Sequence, residues 1–487
     1  MQLQNLRLPL ERLRAPLPMF RGVVDARQWQ EAARAVAGQG RLVALWGADH
    51  AVHAAYALAS GLYWLELEGK RYPDLASHFP FAGRMQRAAA DLFGVLADGA
   101  VDTRPWLDHG AWKGSEAKDY PFVQVKRDGV HEIPVGPVHA GTIEPGHFRF
   151  SVVGEKVLRL EQRLGYAHKG IEQRFTGLAP LEAHRLAGRV SGDSTVAYAW
   201  AYCMALESAA GVTIPARAAW LRALMLERER VANHLGDLGA LGNDAALGFG
   251  LAQFSRLRED WLRASARAFG HRLMMDRIVP GGVAGELAAA EPARMQKECD
   301  ALEREVGILK SIYDDHAGLQ DRFIMCGRVT PELAARLGLA GLAGRASAQA
   351  VDLRCRPSWR PYDELEVRMA HHKNGDVAAR VTVRFEEVRE SLRLLREICA
   401  RLPAGGSAAE VRLPAAAAAG AGWVEGWRGE VLVALELGAD GAIRRCHCHD
   451  PSWQNWPALE YAAMDNIVPD FPLINKSFNL SYSGHDL

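Results

Sequence analysis

Two histidines and a glutamate around a Gly/Pro turn are the first residues in this chain that could move protons. Gly136-Pro137-Val138-His139 is followed by Glu144-Pro145-Gly146-His147-Phe148-Arg149. Histidine exchanges protons near neutral pH, and a glutamate joins such a relay when its pKa is raised. The plain alternative is a hairpin shaped by Gly and Pro with solvated polar groups. A second run, Gly165-Tyr166-Ala167-His168-Lys169-Gly170-Ile171-Glu172, reads as a turn entering a helix, with Glu172 in the first turn where the helix dipole favours a carboxylate. A third, Arg189-Val190-Ser191-Gly192-Asp193-Ser194-Thr195, places Ser191 and Ser194 three apart, on one face if helical. Its composition also suits a cap or a helix break. A fourth, Arg445-Cys446-His447-Cys448-His449-Asp450, carries soft ligands in sequence. On a strand only alternate residues share a face, and zinc sites usually bring two ligand pairs together, so the spacing argues against a metal here. No Gly-rich phosphate loop follows a clear strand, which leaves a nucleotide site unsupported.

The 487 residues are 49% hydrophobic and 24% charged, a globular composition long enough for two or three domains. Basic and acidic residues balance at 58 each, so no electrostatic footprint for nucleic acid is present. The first 20 residues are amphipathic and charged throughout, unlike a signal peptide. No apolar run reaches the roughly 20 residues needed to cross a bilayer. A soluble chain is expected, with any membrane link made through partners. The seven dispersed cysteines include no C-x-x-C pair and read as reduced cytoplasmic thiols.

The expected fold class is α+β: a small N-terminal α/β domain over 1–115, then a mainly helical bundle with a β cap over 116–487. Strands are predicted over 42–50 and 63–69, and an amphipathic helix over 81–95. A linker over 102–120 leads to a small antiparallel β unit between 123 and 166. Helices are predicted over 181–210, 216–241, 253–275, 286–317 and 385–402. A hairpin turns around Ala439-Asp440-Gly441, and the Pro-punctuated end reads as irregular. No internal repeat is visible.

Several stretches together resemble one family. GPVHAGTIEPGHFRF (136–150), GYAHKGIEQRF (165–175), GVTIPARAAWLRALMLERERVANHL (211–235) and RASAQAVDLR (345–354) resemble the large subunit of group 4, energy-converting nickel–iron hydrogenases and the homologous quinone-site subunit of respiratory complex I. The ending from Asp450 onward resembles formate-hydrogenlyase and hydrogenase-4 type large subunits. RMQRAAADLFGV (84–95) and DTRPWL (102–107) resemble the smaller hydrophilic complex I subunit often fused to it. The resemblance runs in matching order over nearly the whole chain.

It implies a site whose metal ligands are gone. The family's first C-x-x-C follows an Arg-Val pair, where this chain has Ser191 and Ser194. The second follows Asp-Pro, matched here to Ser452 and Asn455. Nickel and iron in such a site are held by ionised sulfur, so the resemblance implies that the nickel–iron centre is absent and that this chain binds no metal. Gly192 stands where complex I places a tyrosine for the quinone head. His139 and His147 fall on the turn bearing its quinone-site histidine, with His147 the closer match. Glu144 falls near the glutamate that starts a proton path, and His168, Glu172, Asp352 and Arg354 match family motifs tied to the same coupling. The resemblance further implies a quinone or another small carrier in the cavity, 4Fe-4S clusters on partner chains, an iron–sulfur small subunit, antiporter-like membrane subunits, and a peripheral place on the cytoplasmic side of the membrane. Two other readings stay open: a non-catalytic scaffold or coupling subunit, and an active hydrogenase using Cys446 and Cys448.

Overall fold

Alternation of apolar residues builds the first sheet. The computed structural model describes residues 6–112, 119–139 and 143–487. Residues 113–118 of the expected linker, 1–5 of the amphipathic start and 140–142 of the Gly/Pro turn lie outside the described residues. β1 (Met19–Val23) pairs parallel with β4 (Gly61–Glu68), which continues antiparallel through β3 (Ala51–Leu58) to β2 (Arg41–Ala48). β3 escaped the sequence reading because its alanines carry little strand preference. α1 (Ala26–Ala37) begins at Asp25, whose carboxylate accepts from the Gln28 N–H in a capping box. α2 (Ala82–Phe93) falls within the predicted span and packs on β2.

The predicted antiparallel unit is present as β5 (His131–Val135), β6 (His147–Val153) and β7 (Lys156–Arg163). The helix expected over 181–210 is broken. A short helix, His184–Ala187, ends before Ser191, which is extended (φ −141°, ψ 110°). One 3₁₀ turn then leads into α3 (Thr195–Ala210). Neither serine hydroxyl caps the helix that follows it, so the segment is a break rather than a cap.

The bundle is formed by α3, α4 (Ala216–Asp244), α5 (Gly248–Phe269), α6 (Glu291–Asp315) and α7 (Val377–Arg401). α5 stops at left-handed Gly270, short of the predicted 275. α7 starts earlier than predicted, at Asp376, whose carboxylate accepts from the Ala379 N–H.

β8 (Ala418–Glu425), β9 (Glu430–Leu437) and β10 (Ile443–His449) form a second antiparallel sheet that includes the expected hairpin. β8 lies directly on α3, because a Cβ at Gly420 or Gly422 would overlap the carbonyl oxygen of Ala205 or Ala201. The irregular ending expected from its prolines is instead helical: α8 (Ser452–Ala463), α9 (Phe471–Phe478) and α10 (Tyr482–Asp486). Pro472 sits in the first turn of α9, where its missing N–H costs nothing, and α8 tolerates Pro457 inside.

One apolar core runs through the N-terminal sheet, the bundle and the second sheet. Trp46 on β2 stacks on His447 of β10 at 4.4 Å, and Arg21 bridges Glu66 and Glu436. Among the described residues, no helix is long and apolar enough to cross a membrane.

Candidate functional site

A cleft of about 700 Å³ opens where the helix break, the turn before β6 and the chain's last helices meet. Val135, Ile143, Phe148 and Phe471 give it an apolar wall; Ser191, Asp193, Arg428, Lys476 and Ser481 give it a polar one.

The polar wall is a connected network. The Ser191 and Ser481 hydroxyl oxygens lie 2.9 Å apart, and the Ser191 hydroxyl also donates to Asp193 Oδ1 at 2.8 Å. Ser481 Oγ accepts from the Gly484 N–H at 2.9 Å, capping α10. The Arg428 guanidinium donates to both Asp193 oxygens, to Ser194 Oγ (3.2 Å) and to the Asn479 carbonyl (2.5 Å), and lies over Trp427. Burial would push Asp193 up, but Arg428 holds it below the usual carboxylate range. Lys476 and the Asn479 amide both reach Asp237, at 3.2 and 2.7 Å.

On the facing side, Glu144 accepts from the Ser483 N–H (3.2 Å) and hydroxyl. Burial raises its pKa, partly offset by that N–H. His139 Nε2–H donates to the Gly146 carbonyl at 2.8 Å. Burial pushes the Tyr482 hydroxyl up to about 12, partly offset by the Asn475 side chain.

With this geometry in view, the likenesses to known proteins are specific. Residues 246–420 match the family of the respiratory-chain NADH dehydrogenase, 49 Kd subunit, and residues 23–125 that of its 30 Kd subunit. An NADH-quinone oxidoreductase subunit from Dehalococcoides mccartyi is 30% identical over 352 residues, covering 71% of this chain and 95% of that relative. The chain belongs to the 49 Kd subunit family. Formate hydrogenlyase subunit 5 of Escherichia coli is 28% identical over 436 residues, covering 85% of this chain and 77% of the relative. A chain from the structure of the membrane-bound sulfane sulfur reductase, an archaeal respiratory membrane complex, shares the fold with a TM-score of 0.68 at 22% identity, covering 74% of this chain and 99% of that one.

In this 49 Kd-type chain the predicted site residues separate into two groups. His139, Glu144, Ser191 and Gly192 line the cleft, and Ser194 reaches its network through Arg428. His147 does not line it. Its Nδ1–H donates to the Gly136 carbonyl (3.3 Å), its ring meets Phe122, and burial lowers its pKa. The closer sequence match is thus turned into the sheet, and His139 faces the cleft instead. His168 donates to the Asp486 carbonyl at 2.8 Å, bracing the end of the chain. Glu172 pairs with Arg445 (2.8 Å) and His447 (2.5 Å) away from the cleft.

The expected second vestigial pair, Ser452 and Asn455, stands outside the cleft. Ser452 Oγ accepts from the Ser481 N–H at 2.9 Å, one layer behind the cleft wall. The Asn455 side chain brackets the backbone of Ala340 (3.1 and 3.2 Å). Neither lines the cleft. The hydroxyl meeting Ser191 is that of Ser481, whose Oγ in turn accepts from the N–H of Gly484, three positions on. Asp450-Pro451, which pointed to Ser452, is used otherwise: Asp450 accepts from the Tyr198 hydroxyl (2.7 Å) and the Ser452 N–H (2.8 Å).

The Cys-His-Cys-His run divides as strand geometry requires. His447 turns to Glu172 and His449 to Gln454 (3.1 Å), while Cys446 and Cys448 are fully buried thiols. Burial drives His449 down to about 3. Among the described residues, the one cluster with metal-ligand spacing is His53, Glu66 and Glu436. There Arg21 spans the two carboxylates, and the Trp64 N–H donates to His53 Nδ1 (3.1 Å), which leaves a proton, not a lone pair, on Nε2.

Arg428, Lys476 and Ser481 were missed. The signal available for Ser481 was spacing: Ser481-x-x-Gly484 repeats the three-residue step of Ser191-x-x-Ser194.

Proposed function

We propose that this chain is the large subunit of a membrane-attached respiratory oxidoreductase related to energy-converting hydrogenases and complex I, working without a nickel–iron centre. The observation that carries this reading is the Ser191–Ser481 hydroxyl pair at 2.9 Å, beside Arg428 locked onto Asp193 and Ser194. A nickel–iron centre needs ionised thiolates, and this donor set does not fit one. Ser194 is engaged by the guanidinium, no cysteine lines the cleft among the described residues, and a Cβ at Gly484 would stand 2.5 Å from Asp450 Oδ2. Ser481 and Gly484 are therefore the second vestigial pair.

The cleft receives a small two-electron carrier of the quinone type. Its apolar wall takes a ring, and Glu144, whose pKa burial raises, supplies a proton as the carrier is reduced. His139, fixed by the Gly146 carbonyl, orients the polar end. Electrons arrive from 4Fe-4S clusters on an iron–sulfur small subunit. Antiporter-like membrane subunits anchor the assembly peripherally on the cytoplasmic side. Relatives named as formate hydrogenlyase and NADH-quinone oxidoreductase subunits support the reading of the chain as a subunit of such a complex.

The test is a cleft-filling variant in the purified complex. Ala240→Trp places an indole in the cleft from α4. Reduction of a short-chain quinone should fall at least tenfold with assembly unchanged. An undiminished rate would instead favour a scaffold role, in which the Arg428–Asp193 pair simply fills a vacated site.

A further inference from the structure

Behind the cleft wall lies a sealed cluster of ionisable side chains, none more than 2% exposed. α4 contributes Glu227, Arg230 and His234. Arg354 binds Glu227 (3.1 Å) and Asp352 (2.7 Å). Arg345 binds Glu387 on α7 and Glu425 at the end of β8, each at 2.7 Å. His234 Nε2 meets Glu387 Oε2 at 2.7 Å. Arg230 reaches Glu227 (3.3 Å) and donates to the carbonyls of Gly426 (2.9 Å) and Glu425 (2.7 Å).

The charges do not balance. Glu227, Asp352, Glu387 and Glu425 are four carboxylates; Arg230, Arg345 and Arg354 are three guanidiniums. A net charge in a sealed interior is costly, and the ordinary relief is to change protonation. His234 and the carboxyls are the groups able to do so. The neighbouring Arg384 is paired with Asp237 at 2.8 Å; Lys476 also approaches Asp237, but its side chain is 30% exposed on the cleft side, so water rather than the sealed cluster meets that extra charge. Arg41, on β2, is already bound to Glu430.

We propose that this cluster holds one exchangeable proton, centred on Glu425 and shared with the His234–Glu387 pair, and that it compensates charge arriving in the cleft. This rests on the reading of the cleft as a redox site. Burial, and then Asp352, push Glu425 above the usual carboxylate range, whereas burial lowers His234. The link to the cleft is covalent and short. Glu425 faces the cluster and Arg428, three residues on, faces the cleft. Between them the Trp427 ring meets His234 edge-on, and its N–H donates to the Asp193 carbonyl at 3.0 Å. Added negative charge near Arg428 raises proton affinity in the cluster, which makes Glu425 a positioning residue for charge rather than a catalytic one.

The test is infrared difference spectroscopy on the full-length chain, with ¹⁵N NMR of the histidines. Wild type minus Glu425→Gln should show loss of one protonated carboxyl, because three carboxylates then match three guanidiniums. Asp352→Asn should do the same if Glu425→Gln fails to fold, and His234→Gln should keep the protonated carboxyl. Asp193→Asn should lower the pH at which that carboxyl ionises. A wild-type cluster with ionised carboxyls and neutral His234, or a carboxyl signal unmoved by both carboxylate substitutions, overturns the proton. An ionisation unmoved by Asp193→Asn overturns the coupling. These readouts need no carrier turnover, so they fail independently of the cleft assignment.

Discussion

The side chains of Ser191 and Ser481, 290 residues apart in sequence, meet oxygen to oxygen at 2.9 Å. One stands in the break before α3 and the other at the start of α10. They join two segments with the same three-residue step, which makes the polar wall of the cleft. The geometry predicts that Ser191→Cys/Ser481→Cys closes a disulfide on mild oxidation, seen as an intact mass lower by two hydrogens. Ser191→Cys/Ser452→Cys should not, because Ser452 lies behind the wall. The reverse result would return the second pair to Ser452.

Arg428 is buried but its partner Asp193 is 35% exposed on the cleft side, so removing the guanidinium leaves a carboxylate that solvent partly screens. Arg428→Met should cost about 1–3 kcal/mol in denaturant unfolding, between the values for exposed and fully buried pairs. Adding Asp193→Asn should recover at least half of that loss. Equal stability of the single and double variants would mean that the pair is not the dominant contact.

Glu229 is buried on α4 and accepts from the N–H groups of Val196 (2.6 Å) and Ala197 (3.2 Å) at the start of α3. Burial, despite those two bonds, raises it to about 8. A carboxyl with a raised folded-state pKa stabilises fully below its unfolded value and loses that contribution as pH rises. Stability should therefore fall between about pH 4.5 and about pH 8, with a slope of up to about 1.4 kcal/mol per unit from this group. Glu229→Gln should remove that one-proton slope, measured by denaturant unfolding across the window.

Gly422 has no room for a methyl group, since its Cβ would overlap the Ala201 carbonyl. Gly422→Ala should cost at least about 2 kcal/mol by forcing β8 off α3. Gly192→Ala should cost little in packing, because open space surrounds its Cβ position. Comparison of the two unfolding midpoints checks the claim.

These relationships also show what the sequence could and could not reveal. The 3.6-residue periodicity of α4 to α7 marked the bundle, although helix ends set by Gly270 and Asp376 shifted from the pattern. β3 was hidden by its alanines, and α8 and α9 by Pro457, accommodated inside its helix, and Pro472, in a first turn. Ser191 and Ser194 were legible through their local motif. Ser481 was not, because its partner Ser191 is 290 residues away and the Asp-Pro at Asp450 drew the motif to Ser452. His147 matched its motif best, yet strand alternation turned it inward and left His139 to face the cleft.

The central claim is that this large subunit works without nickel. Metal analysis of the complex purified with its partners, by inductively coupled plasma mass spectrometry, tests it most directly. The account predicts iron, from clusters on partner chains, with nickel at background. Nickel approaching one per complex would contradict it and show that an unassigned ligand set holds a working centre.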